Sequence, residues 1–307
     1  MPHIFKKALA LILTLVLAAA LAAPTFAGAP FDEKKFFQTG DYSICYRVVP
    51  AQGEEIGRVF FIHGMVSSSL YWEELAALFS AAGYLCAMID LPGFGYSTRE
   101  AAHVTPMDRE EIAAQLMELI APGQPWIVAG HSMGGGVALN LAVDYPEKVS
   151  ALLLYAPAAG GGPPGGGSMT NALPAELMGR AMNLLLRPLL YMRPVVRLLA
   201  GAANADLCYG LRYDIGKIID PLKLPGTVES LFYMRARAKS VDLEAAAALT
   251  IPILILWAVK DYVVTSQALS DALPQAETQT MRGGHMFTEQ YSPETFQRSI
   301  AFLREDA

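Results

Sequence analysis

The residues with the clearest chemical meaning lie in Gly130-His131-Ser132-Met133-Gly134, between an apolar run and a stretch of helical spacing. A serine on so sharp a strand-to-helix turn takes strained backbone angles, and glycines at 130 and 134 leave room beside it. Its hydroxyl then lies at a helix N-terminus, where free N–H groups and the helix dipole favour the oxyanion that forms when serine attacks a carbonyl. The amide of Met133, directly after the serine, is one candidate donor to that oxyanion. A serine hydroxyl is a weak nucleophile at neutral pH, so it needs an imidazole to accept its proton and a carboxylate to hold the imidazole in the useful tautomer.

Five histidines are available. His3 falls in the N-terminal apolar segment. His131 is expected to point away from the exposed side of the turn, and His63 to bond its own backbone surroundings. His103 lies in a polar connection and stays open as a contributor, since loop residues can serve sites. His285 follows two glycines in a loop after the last strand-like run, and is the expected base. The acid is expected at the C-terminal end of a strand, where loops gather in an open α/β sheet. Asp261 meets that condition after Ile253–Trp257, and is too far from Ser266 to be only a helix cap. Asp90, in Asp90-Leu91-Pro92-Gly93, is expected to order a turn.

Elements that could position these residues alternate along the chain. Strands are predicted over Tyr42–Val49, Arg58–Ile62, Leu85–Leu91, Trp126–Ala129, Ala151–Tyr155, Ile253–Trp257 and Glu277–Met281. The middle ones are continuous apolar runs, as strands covered on both faces require. Helices are predicted over Tyr71–Ala82, Arg109–Ile120, Met133–Asp144, Ser266–Leu273 and Pro293–Leu303 from apolar spacing. This is the pattern of βαβ units and a mostly parallel sheet. It breaks over residues 159–250, which open on a Gly/Pro-rich stretch and continue as Leu-, Met- and Arg-rich helical sequence punctuated by Pro188 and Pro194. That segment is expected to be an insertion over the sheet, its helices packing their apolar faces inward and leaving the arginines in water. A cover that binds a hydrophobic or anionic-lipid substrate is the sharper alternative.

Five separated motifs over residues 55–305 resemble the α/β-hydrolase family, in its serine-nucleophile branch with a helical cap. Phe60-Phe61-Ile62-His63-Gly64-Met65 is similar to that family's strand and oxyanion loop, and Asp90-Leu91-Pro92-Gly93-Phe94-Gly95-Tyr96-Ser97 to its D-x-P-G-x-G-x-S turn. The serine turn is the third motif, with Trp257-Ala258-Val259-Lys260-Asp261 and Gly283-Gly284-His285-Met286 completing the set. The resemblance implies an α/β-hydrolase fold: a mostly parallel twisted sheet with helices on both faces and an inserted helical cap. It implies a core of residues 28–158 and 251–307, a cap of 159–250, and the triad order Ser132, Asp261, His285. It also implies that the Met65 amide is the second oxyanion donor. Haloalkane dehalogenases and epoxide hydrolases share the D-x-P-G turn but use an aspartate nucleophile, which position 132 does not supply.

Composition limits the partners. At 53% hydrophobic and 17% charged, the 307-residue chain is globular, and its formal charge of −6 provides no basic footprint for nucleic acid. The mean hydropathy of +0.32 is raised by residues 1–27, where Lys6 and Lys7 precede the uncharged run from Ala8 to Ala23 and then small residues. That segment is expected to be a cleaved export signal, with an uncleaved N-terminal anchor as the alternative. Export implies a periplasmic or extracellular protein. Cleavage after Ala27 would remove two lysines and move the charge from −6 to −8. The segment 159–250 holds ten Lys/Arg against seven Asp/Glu, whereas the remainder of the exported chain holds eleven against twenty-two. Cys45, Cys86 and Cys208 are too few and too far apart for a disulfide scaffold, and their pairing stays open; Cys86 reads as a buried thiol.

The expected activity is hydrolysis of an ester-like bond by acyl transfer, as a carboxylesterase or lipase would perform it on a small hydrophobic substrate. The apolar insertion favours burying an acyl or alkyl chain, and membrane-surface or lipid contact through it is a further expectation. No metal or cofactor fingerprint is present, so no cofactor is expected. C–C bond hydrolase, aminopeptidase, acyltransferase and cofactor-free haloperoxidase-like chemistries share the same constellation. A non-catalytic protein that binds a hydrophobic ligand is the alternative from another class.

Overall fold

A computed structural model describes residues 31, 33–158, 183–184, 188, 192–237, 239–264 and 267–305. The expected export signal, and most of the first part of the insertion, lie outside the described residues. Eight strands form one sheet: β1 (Lys35–Thr39), β2 (Tyr42–Val49), β3 (Gly57–Ile62), β4 (Tyr84–Ile89), β5 (Trp126–His131), β6 (Val149–Tyr155), β7 (Ile253–Ala258) and β8 (Glu277–Met281). Their spatial order is β1-β2-β4-β3-β5-β6-β7-β8. β1 pairs antiparallel with β2 and β2 antiparallel with β4, while every later pairing is parallel.

Burial explains why the central strands read clearly. All six residues of β7 are buried, as are the last four of β3 and β4. Each fully buried Ile, Leu or Phe contributes roughly 1.5–3 kcal/mol, so a two-sided strand needs an unbroken apolar run. Phe60 meets Trp126 edge-on across the sheet at 5.8 Å, and Phe61 packs on Trp72 and Phe79. Helices Glu73–Ala81, Arg109–Ile120, Met133–Asp144 and Ser292–Glu305 cover the sheet.

From β3 the chain crosses to β4 on one side, then returns to place β5 on the other. In an open α/β sheet, the crevice outside the C-terminal ends of two strands related in this way is where ligands bind. The loop after β3 and the serine turn after β5 both open into it.

β4 ends at Ile89, two residues earlier than expected, because Asp90 turns the chain. Its carboxylate accepts hydrogen bonds from the Ser69 amide (2.6 Å), the Ser69 hydroxyl (2.5 Å) and the Tyr96 amide (2.8 Å). Arg47, also buried, lies 3.9 Å away. Asp90→Ala would strip Arg47 of its counter-charge and leave those N–H and O–H groups without an acceptor. A loss of about 3–5 kcal/mol is expected, read from the denaturant midpoint.

Between β6 and β7 the described chain is helical: Arg193–Ala203, Leu207–Arg212, Gly216–Leu222, Thr227–Arg237 and Leu243–Ala247. Pro194 stands in the first turn of its helix, where its missing N–H costs nothing, so it starts that helix rather than breaking it. The expected inward packing is corrected for the leucines of the helices Arg193–Ala203 and Leu207–Arg212, while Leu185, Leu186, Leu189 and Leu190 lie outside the described residues. Leu198 and Leu199 are 58% and 63% exposed, and Leu207 and Leu211 57% and 65%. The cause is the small-residue face: a Cβ on Gly210 would stand 2.4 Å from the Gly201 Cα, so the two helices interlock through Ala200, Gly201 and Gly210 and turn their leucines outward. Among the described residues no helix is long and apolar enough to cross a membrane. Cys45 and Cys86 are buried free thiols and Cys208 an exposed one.

Candidate active site

Ser132 stands between β5 and the helix Met133–Asp144 with φ 52° and ψ −121°, a left-handed conformation that a non-glycine residue holds only when its surroundings impose it. Those surroundings are visible. The Ser132 amide donates to Tyr155 O on β6 (3.0 Å), and its carbonyl accepts from the amides of Gly135 (2.9 Å) and Ala158 (2.8 Å). The helix starts at the next residue, and its first N–H groups have no partner within the helix.

The loop after β3 is pressed against this turn. A Cβ at Gly64 would lie 3.1 Å from Ser132 Cβ and 3.0 Å from His131 Nδ1, and one at Gly134 only 2.2 Å from Ile62 O. A Cβ at either position would press on its neighbour, and the close approach sets the loop carrying Met65 beside Met133 at the helix start, the two expected oxyanion donors. Met65 is 57% exposed. His63 braces the loop from beneath: its Nε2 accepts from the Leu91 amide (3.0 Å), so Nδ1 carries the proton and donates to Gly64 O (2.7 Å). Burial holds its pKa below the usual histidine value, which keeps that tautomer neutral.

At the far side, the loops after β7 and β8 are joined by bonds from Val259 N to Met281 O (2.9 Å) and Lys260 N to Gly283 O (3.1 Å). This brings Asp261 and His285 together: Nδ1 of the imidazole is 2.7 Å from Asp261 Oδ2. The other carboxylate oxygen accepts from the amides of Val263 (2.8 Å) and Val264 (3.0 Å). Asp261 therefore orders its own loop as well as the imidazole. Burial alone would raise its pKa, but the His285 hydrogen bond, the two amides and the nearby imidazole outweigh it and hold the carboxyl below its ordinary value. An ionised carboxylate on Nδ1 fixes the tautomer that leaves Nε2 free to accept a proton.

His131 joins the two halves. As expected it is not exposed; its ring is buried and stacked on Tyr71 at 4.7 Å, and lies 4.8 Å from the ring of His285. Its Nε2 donates to the backbone carbonyl of His285 (2.8 Å). Burial first, and then the neighbouring imidazole, push its pKa down to about 3, so it stays neutral. Sequence reasoning had no signal for this support, because its partner lies 154 positions away. His103 is exposed and lies near Asp41, away from these loops.

A family model described as serine aminopeptidase, S33, matches residues 53–283. The chain belongs to that family of α/β-hydrolases. It is an enzyme, a hydrolase. It is 28% identical over 239 residues to a monoacylglycerol lipase of Mycolicibacterium smegmatis, covering 76% of this chain and 80% of that one. A 2-hydroxy-6-oxononadienedioate/2-hydroxy-6-oxononatrienedioate hydrolase of a Pseudomonas species is 29% identical over 69% of this chain and 73% of its own. Among solved structures, the enol-lactonase from Burkholderia xenovorans superposes with a TM-score of 0.70 at 15% identity, covering 88% of this hydrolase and all of the lactonase. That likeness shows the fold: the mostly parallel sheet is that of an α/β-hydrolase.

Proposed function

We propose that this hydrolase cleaves carboxylic esters with a hydrophobic acyl chain, using Ser132 as nucleophile, His285 as base and Asp261 as its orienting acid. The 2.7 Å Asp261–His285 bond at the crevice shared with the serine turn carries the reading. The serine Oγ bonds to the ester carbonyl carbon while its proton passes to His285 Nε2. The amides of Met65 and Met133 hold the resulting oxyanion. Collapse breaks the ester C–O bond, and the leaving alkoxide takes the proton from His285. Water then attacks the acyl-enzyme, with His285 again accepting a proton, and the acid leaves as Ser132 is reprotonated.

A hydrophobic acyl group is supported by the exposed Met65 beside the serine turn and by the apolar composition of the insertion, which this reading treats as a cap. The lipase among its relatives agrees. Export through residues 1–27 is part of the same proposal and would place the enzyme among extracellular or periplasmic esters.

p-Nitrophenyl esters from acetate to palmitate test the assignment. Each methylene buried is worth roughly 0.8 kcal/mol, so kcat/KM is expected to rise about fourfold per carbon until the pocket is filled. Folded protein inert towards the whole series would refute it.

A further inference from the structure

Glu289 is a buried carboxylate that the chemistry above leaves unused. It stands in the short helix Phe287–Gln290, directly after the loop that carries His285. Its Oε2 accepts a hydrogen bond from the hydroxyl of Tyr213 (2.7 Å), itself buried, and its Oε1 lies 3.7 Å from Lys217 Nζ. Both partners come from the inserted helical segment. Lys217 also pairs with Glu73 of the core helix Glu73–Ala81 at 2.8 Å. Burial would lower the lysine pKa, but Glu289, Glu73 and Glu74 more than offset this, and it stays charged.

This contact is the centre of a longer seam. The amide of His285 donates to Ala203 O at 2.8 Å, and Gln290 Nε2 donates to Asp206 Oδ2 at 3.1 Å. A Cβ on Gly284 would meet Ala203 O at 2.4 Å, so the backbones of the two segments are in direct contact one residue before the imidazole. Thr288, next to Glu289, shares a hydrogen bond with Tyr71, the ring on which His131 stacks.

We propose that Glu289 is a positioning residue for the reaction: by taking the Tyr213 hydroxyl and the Lys217 ammonium on one carboxylate, it ties the inserted helices to the His285 loop, so that cap and base are held as one piece. The inference rests on His285 being the base. A loop that must hold an imidazole within a fraction of an ångström gains from such a tie, because a displacement of about 1 Å costs on the order of a hundredfold in rate.

The tie is also sensitive to protons. Burial, then the repulsion of Glu74 and Glu73, raises the Glu289 pKa to about 7, against the opposing pull of Lys217 and Tyr213. Tyr209 and Tyr71 face it as well, and their hydroxyls are neutral in this range. Since the folded value is raised, the folded state holds a proton that the unfolded state has lost between the ordinary carboxylate pKa and about 7. Stability therefore falls as pH rises through that window, while the ion pair with Lys217 forms. Activity would gain a second ionisation beside that of the base.

Glu289→Gln keeps the shape and an acceptor for Tyr213 but removes the charge. It is expected to lower kcat about ten- to hundredfold with KM for a short ester little changed. It should also reduce the acid limb of the pH profile of kcat/KM from two protons to one. Tyr213→Phe should instead move that limb to higher pH, because the carboxylate loses a stabilising donor. The proton resonance of His285 Nδ1–H, followed from pH 5 to 9, reads the same event without substrate. It should move in two steps in the wild type, one from the imidazole itself and one from Glu289, and keep only the imidazole's own step in Glu289→Gln. If both variants keep the wild-type profile shape and the resonance titrates identically in all three proteins, Glu289 is only structural and the proposal fails. Should Glu289→Gln not fold, the Tyr213→Phe limb and resonance decide. Wild-type protein without ester turnover refutes the substrate reading, while the resonance still tests the tie.

Discussion

Ser132→Ala is expected to lower kcat for ester hydrolysis by about five to six orders of magnitude, roughly 7–8 kcal/mol of transition-state stabilisation. The size follows from the roles proposed for the three groups. Without an oxygen to form the acyl-enzyme, His285 and Asp261 have nothing to activate, and only oxyanion binding and desolvation remain to act on water. The fold should tolerate the change, since the turn is held by the Ser132 backbone, through Tyr155 O and the amides of Gly135 and Ala158, and not by its side chain. Stopped assays of wild type and variant at equal folded concentration check it. A loss smaller than about a hundredfold would mean that another group attacks the carbonyl.

The second large effect is expected from Asp261→Asn, a loss of about 10⁴ in kcat. The amide oxygen can still accept from Val263 and Val264, so the loop should persist, but the imidazole is no longer held with its proton on Nδ1. The stability change has a definite sign. The Asp261 carboxyl is held below its ordinary value in the folded state, so its contribution is present above the unfolded pKa, near 3.9, and is lost as pH falls through the lower folded value. Unfolding midpoints of wild type and variant should therefore converge in acid and part above about pH 4. Equal midpoints at every pH, with activity within tenfold of wild type, would remove Asp261 from the mechanism.

What could be read from the sequence follows from burial. Strands covered on both faces write themselves as apolar runs, and Tyr42–Val49 and the helices Arg109–Ile120 and Met133–Asp144 fall where periodicity places them; the edge strand Glu277–Met281 keeps its expected bounds with only Met281 buried. β1 carries no such signal: Lys-Phe-Phe-Gln-Thr is an edge strand with no fully buried position, specified by its hairpin with β2 at Gly40-Asp41 and not by an apolar pattern. The apolar run to Leu91 overextends β4 because Leu91 is buried within a turn, and burial alone does not distinguish a turn from a strand.

The site divides in the same way. Ser132, Asp261 and His285 stand at loop positions after strands, where chain order and local chemistry suffice to nominate them. The residues that hold them do not. The partner of His131 is 154 positions away and that of Tyr213 is 76 away, and neither residue differs locally from an ordinary core aromatic. The outward leucines of the insertion are not legible in the sequence, because the contact between Gly201 and Gly210 decides which face of each helix turns inward.

The most direct test is covalent. Folded protein treated with a fluorophosphonate probe, digested and mapped by mass spectrometry, should carry one adduct on the peptide containing Ser132, and none after Ser132→Ala. An adduct on a different residue, or no adduct on protein shown to be folded, would contradict serine-based acyl transfer at this crevice.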